Sequence, residues 1–76
     1  MDRKAVNSSM LASIGYDKAT QTLELEFTSG EVWQYMDVPN EEFEALMNAP
    51  SHGGYARQNI IESYHETRVS GREVKR

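Results

Sequence analysis

Apolar and polar residues alternate most regularly between Thr22 and Met36, TLELEFTSGEVWQYM. Leu23, Leu25 and Phe27 interleave with Thr22, Glu24 and Glu26, the period-two pattern of a strand with one buried and one wet face. Past Gly30, Trp33 and Tyr35 share one face while Val32, Gln34 and Met36 share the other. The two segments predict a β-hairpin, and its turn decides where the aromatics go. With Ser29-Gly30 as a two-residue loop, Phe27 opposes Val32 and both rings join Glu24 and Glu26. With Thr28-Ser29 in a type I turn and Gly30 in the left-handed bulge position, Leu25 opposes Trp33 and Leu23 opposes Tyr35. A one-residue slip reverses every side chain, and burying two rings in place of Val32 and Gln34 stabilises by roughly a few kcal/mol. The bulged turn is therefore expected.

Upstream, Met10, Ala12, Ile14 and Tyr16 alternate with Leu11, Ser13 and Gly15, which predicts another strand led by Ser8 and Ser9. Asp17 to Gln21 is a connection of hairpin length, and the Asp17 carboxylate suits the backbone that follows it. Pro39 closes the third strand, and Asn40 is expected to cap a helix whose first turn holds Glu41 and Glu42. Phe43, Leu46 and Met47 form its apolar stripe, and Pro50 stops it near Asn48 or Ala49. A second helix is expected over 55–63, with Ser51 able to cap its entry and Tyr55, Ile60, Ile61 and Tyr64 as its stripe. His65 to Val69 is extended or irregular and suited to lie back on the sheet. The expectation is one α+β domain over 8–69: a three-stranded antiparallel β-meander with two short helices packed on one face. Residues 1–7 are expected to be a disordered lead-in and 70–76 a disordered basic tail.

Composition narrows the classes. A chain of 76 residues makes one domain and buries only about 60% of its unfolded surface. The absence of cysteine leaves stability to packing and suits a reducing cytoplasm. No segment nears the roughly 18 apolar residues of a membrane span, so a soluble cytoplasmic protein is expected. The net charge of −4 speaks against holding nucleic acid by bulk phosphate neutralisation. It hides an asymmetry. From Asp17 to Glu44 the acids Asp17, Glu24, Glu26, Glu31, Asp37, Glu41, Glu42 and Glu44 face Lys18 alone; from Tyr55 onward Arg57, Arg68, Arg72, Lys75 and Arg76 outnumber Glu62, Glu66 and Glu73. Such asymmetry marks either a binding end or a solvated surface with a basic tail.

The string SSMLASIGYDKATQTLELEFTSGEVWQYMDVP, followed by Phe43, Leu46, Met47, Ser51, Gly53, Tyr55, Ile60, Tyr64, Arg68 and Val69, resembles the KTSC domain. That family occurs at the C-terminus of some lysyl-tRNA synthetases and as a free-standing small bacterial protein. Its centre is an aromatic-x-aromatic motif, usually Tyr-x-Tyr, before a Val-Pro; here these read Trp33-Gln34-Tyr35 and Val38-Pro39. Trp33 departs from the motif and lacks a phenol. The resemblance implies RNA binding through the synthetase context, and it implies no aminoacylation.

Two sets of residues are candidates for binding. Trp33 and Tyr35 are either core residues or a platform on which unpaired bases stack, and the core role is favoured because exposure would leave the buried face poor in bulk. Tyr55, Arg57, Tyr64 and Arg68 are the candidate RNA surface, since arginine pairs with phosphate and stacks on bases. The plain alternative is a solvated face pairing with Glu62 or Glu66. His52 and His65 are too poorly accompanied to suggest zinc, and no nucleophile elbow surrounds Ser8, Ser9, Ser13 or Ser51. The expectation is a non-catalytic binding module with no cofactor, metal or membrane, taking RNA or, alternatively, a protein partner that includes a second copy of itself.

Overall fold

The structure, a computed structural model, describes residues 1–70; the rest of the expected tail lies outside them. Chain order is β1 (Lys4–Ala5), β2 (Leu11–Asp17), β3 (Thr22–Phe27), β4 (Val32–Tyr35), α1 (Asn40–Asn48), α2 (His52–Asn59) and β5 (Glu66–Ser70). The strands make one antiparallel sheet in the order β1-β2-β3-β4-β5. The α+β class holds, but the sheet has five strands where three were expected. One added strand lies in the expected lead-in. The other is the extended segment after α2, held by pairing with β4 in the register Trp33 with Arg68 and Tyr35 with Glu66. Both are edge strands whose pairing comes from a neighbour, so they carry little alternation of their own.

The hairpin takes the bulged turn. The Gly30 N–H donates to the Phe27 carbonyl (2.9 Å), the Phe27 N–H donates to the Glu31 carbonyl (2.8 Å), and Gly30 has φ 104°, a left-handed conformation that glycine adopts freely. Leu23 therefore opposes Tyr35, and Leu25 opposes Trp33. In β2 the simple alternation breaks. The register steps from Leu11 opposite Phe27 to Ser13 opposite Glu26, so a bulge at Ala12 turns Leu11 into the core with Ile14. The core is Leu11, Ile14, Leu23, Leu25, Tyr35, Val38, Leu46, Ala56 and Ile60, and each large member stabilises by roughly 1.5–3 kcal/mol of burial.

Both helices differ from expectation at their starts. Pro39, not Asn40, occupies the cap of α1, and Asn40 is the first helical residue, its amide donating to Glu44 one turn on. α2 starts three residues before the expected Tyr55 and ends before Ser63. The Ser51 hydroxyl accepts from the Gly54 N–H at 3.1 Å, and this cap with burial of Gly53 and Ala56 outweighs glycine's cost of about 1 kcal/mol in a helix. Beyond α2 the chain turns through Glu62 at φ 70°.

The second sheet face was expected to be wet. Glu24 there is only 5% exposed. Arg3 reaches over it, its guanidinium pairing with Glu24 and donating to Ser13 Oγ at 2.9 Å. Gln34 donates to the other Glu24 oxygen at 2.8 Å, and Ser13 donates to Glu26 at 2.7 Å. Gly15 makes room for this cover, because a Cβ there would stand 2.5 Å from the Asp2 carbonyl oxygen.

Candidate functional site

Tyr55 on α2 and Tyr64 beyond it meet at one carboxylate in the first turn of α1. The Tyr55 hydroxyl donates to Glu42 Oε2 at 2.5 Å, and the Tyr64 hydroxyl donates to Glu42 Oε1 at 3.1 Å. The Tyr55 phenol is raised above its ordinary value chiefly by that bond, and the Tyr64 phenol chiefly by burial. Their polar ends are thus engaged in joining α1, α2 and the turn into β5.

Arg57 and Arg68 stand elsewhere. Two residues along a helix point to opposite sides, so exposed Arg57 leaves Tyr55 behind and borders a polar hollow of ≈ 310 Å³ with Ser8, Ser9, Ser51 and His52. There the Ser8 hydroxyl accepts from the Met10 and Leu11 N–H groups, and His52 Nδ1 lies 3.0 Å from the Leu46 carbonyl. Arg68 is exposed on β5 opposite Trp33. Of the four residues expected to form one surface, the fold brings the two tyrosines together and leaves each arginine in a different neighbourhood.

Trp33 and Tyr35 divide the alternatives between them. Tyr35 is core, 1% exposed, its phenol pushed well above the ordinary tyrosine value by burial and then by the neighbouring Glu66 carboxylate. Trp33 is half-buried: it packs against the core and also lines a groove of ≈ 390 Å³. Met10, Phe27, Tyr35 and Ile61 complete the apolar lining, and Glu31 and Glu66 bring carboxylates to it. The indole N–H donates to Glu31 Oε1 at 3.0 Å. The groove is the part of the apolar sheet face that the helices leave uncovered, next to the turn between β3 and β4.

The residues that sequence reasoning passed over are Met10, Phe27, Glu31, Ile61 and Glu66 in the groove, and Glu42 between the tyrosines. Glu31 had a signal, since two residues before Trp33 in an extended chain is the same side. Glu66 had none until β5 paired with β4. Among the described residues, no group of three or more His, Cys, Asp or Glu side chains is placed to hold a metal ion, and no helix is long and apolar enough to cross a membrane.

The sequence model of the KTSC domain matches residues 7–64. This chain belongs to the KTSC domain family. The match spans β2 to the turn after α2 and stops before β5, so both added strands lie outside it. Among similar proteins, one from Stutzerimonas stutzeri strain A1501, described only as uncharacterized, is 47% identical over 58 residues, covering 76% of this chain and 82% of that protein. A lysine–tRNA ligase of Nostoc sp. strain PCC 7120 is 47% identical over 52 residues, which are 68% of this chain but 9% of the ligase. The crystal structure of a KTSC domain protein from Yersinia pestis superposes with a TM-score of 0.86 at 31% identity, covering 91% of this chain and 97% of that one.

Proposed function

We propose that this KTSC domain is a non-catalytic binding module of the cytoplasm whose contact surface is the groove beside Trp33, and whose ligand is a segment of another protein. The observation that supports this most is the groove's construction. Its ≈ 390 Å³ lies within the range of small-ligand pockets, about 300–1,000 Å³, and an apolar lining with a few fixed polar groups is the usual make-up of such pockets. Half-buried Trp33 and Phe27 offer ring surface of the kind that anchors interfaces. Panning a displayed heptapeptide library on the immobilised domain tests it. Enriched peptides should lose at least about tenfold in affinity on Ile61→Lys; enrichment of none, or of peptides indifferent to both Ile61→Lys and Trp33→Ala, refutes the proposal.

RNA is the second reading, and the likeness to part of a lysine–tRNA ligase favours it. Its candidate contacts are Tyr55, Arg57, Tyr64 and Arg68. Against it stand the net charge of −4 and the separation of the two arginines. Titrating single-stranded RNA at low and physiological salt decides it. Amide shifts at those four residues that fade linearly in log affinity against log salt support RNA; their absence at millimolar RNA ends it.

A further inference from the structure

The groove's chemistry specifies more than an apolar anchor. Trp33 and Phe27 line it half-buried, Met10 and Ile61 add aliphatic wall, and the carboxylates of Glu31 and Glu66 stand in the same lining. Aromatic ring faces carry negative quadrupole potential and attract cations, and more strongly where water is partly excluded. Glu31 already accepts the indole N–H through Oε1, which fixes the carboxylate beside the ring. Glu66 sits beside the Tyr35 hydroxyl and is half-buried. Among the described residues, no basic side chain lines the groove. A phosphate entering it would meet two carboxylates, and a neutral apolar group would offer them no counter-charge. Resting on the protein-binding reading above, we infer that the groove takes a lysine or arginine side chain of a partner protein, the aliphatic stem along Met10 and Ile61 and the cationic head between Trp33 and the carboxylates of Glu31 and Glu66. Of the acidic run from Asp17 to Glu44, Glu31 stands in the groove itself. Arg68, opposite Trp33 in the ladder, is the neighbouring positive charge that such a ligand must approach.

The test uses the full chain and blocked peptides Gly-Ser-Xaa-Ser-Gly, with Xaa lysine, arginine, norleucine or glutamate, followed by amide shifts of Trp33, Phe27 and Ile61. The lysine and arginine peptides should bind at least about fivefold more tightly than norleucine, and glutamate should not bind. Glu31→Gln with Glu66→Gln keeps the hydrogen-bond acceptors and removes the charges; it should abolish that preference while norleucine binding stays. Arg68→Gln should tighten the lysine peptide. Norleucine binding as well as lysine overturns the cation inference and leaves the groove reading standing. Groove shifts with none of the four peptides overturn both. Free L-lysine binding more tightly than the lysine peptide replaces a protein segment with a small molecule, and groove shifts with single-stranded RNA in place of peptide overturn the protein class.

Discussion

On one face of the sheet, Leu11, Ile14, Leu23, Leu25 and Tyr35 lie under Leu46, Ala56 and Ile60. On the other, Ser13, Glu24, Glu26 and Gln34 are tied together and to Arg3, which arrives from the chain's first residues. The first cover is apolar and non-directional, so it tolerates being incomplete, and the uncovered end becomes the groove at Trp33. The second is polar and directional. Each partner there must meet a specific atom, because a buried carboxylate without a counter-charge is costly. One face can thus be left open at one end, and the other has to be closed by its own chain.

Removing bulk from the apolar face should do the most damage. Leu25→Ala, at a fully buried site, should cost about 2–5 kcal/mol in chemical denaturation; a cost below 1 kcal/mol would mean the helices do not cover this face as described. On the polar face, Arg3→Ala should cost less, about 1–2 kcal/mol, since it strands Glu24 but Arg3 itself remains partly in solvent. Gly15→Ala attacks the same cover by sterics, its Cβ being forced against the Asp2 carbonyl. Because both act on one segment, the double variant should fall short of the sum of the two singles. Strict additivity would break the picture of a single cover.

Alkali should separate the faces by chemistry. Tyr16, Tyr35, Tyr55 and Tyr64 all have phenols raised above the ordinary value, and Tyr16 and Tyr35 share the apolar sheet face with Leu23. Unfolded tyrosines ionise from about pH 10 while the folded ones hold their protons, so the unfolded state binds fewer protons and stability falls as pH rises past that point. Denaturation midpoints should therefore be insensitive to tyrosine ionisation below pH 9 and decline above about pH 10. Tyr35→Phe should make that decline shallower. An unchanged slope would remove Tyr35 as a contributor. The smallest effect concerns the groove itself: Trp33 emission should lie between those of buried and fully exposed indole, with partial iodide quenching. Complete protection from iodide would mean that no ring surface is open to a ligand.

The inner hairpin was legible because its face is decided within a few residues: alternation names the strands, and Gly30 with its preceding pair sets the register. Ser51 as a cap and Pro50 as a stop were legible for the same local reason, as was the Asp17 turn, whose carboxylate accepts from the Ala19 N–H. What the residues did not disclose depends on distant partners. Lys4–Ala5 becomes a strand only beside Ile14 and Ser13, and Glu66 joins the groove only through its register with Tyr35. The arginines of the candidate surface stand in different neighbourhoods from its tyrosines, because Arg57 follows Tyr55 by two residues on α2 and Arg68 lies on β5.

Alone, the sequence determined the class, the three central strands, the turn that buries Tyr35, and two helices of modest length, all set by hydrogen bonding and sterics over short stretches of chain. Only the tertiary structure decided that the sheet has two more strands, that Arg3 closes the polar face, and that Trp33 and Phe27 share a groove with Glu31 and Glu66. Those outcomes are contacts between segments far apart in the chain, and a one-dimensional pattern carries the reason for a residue to be buried without naming the partner that buries it.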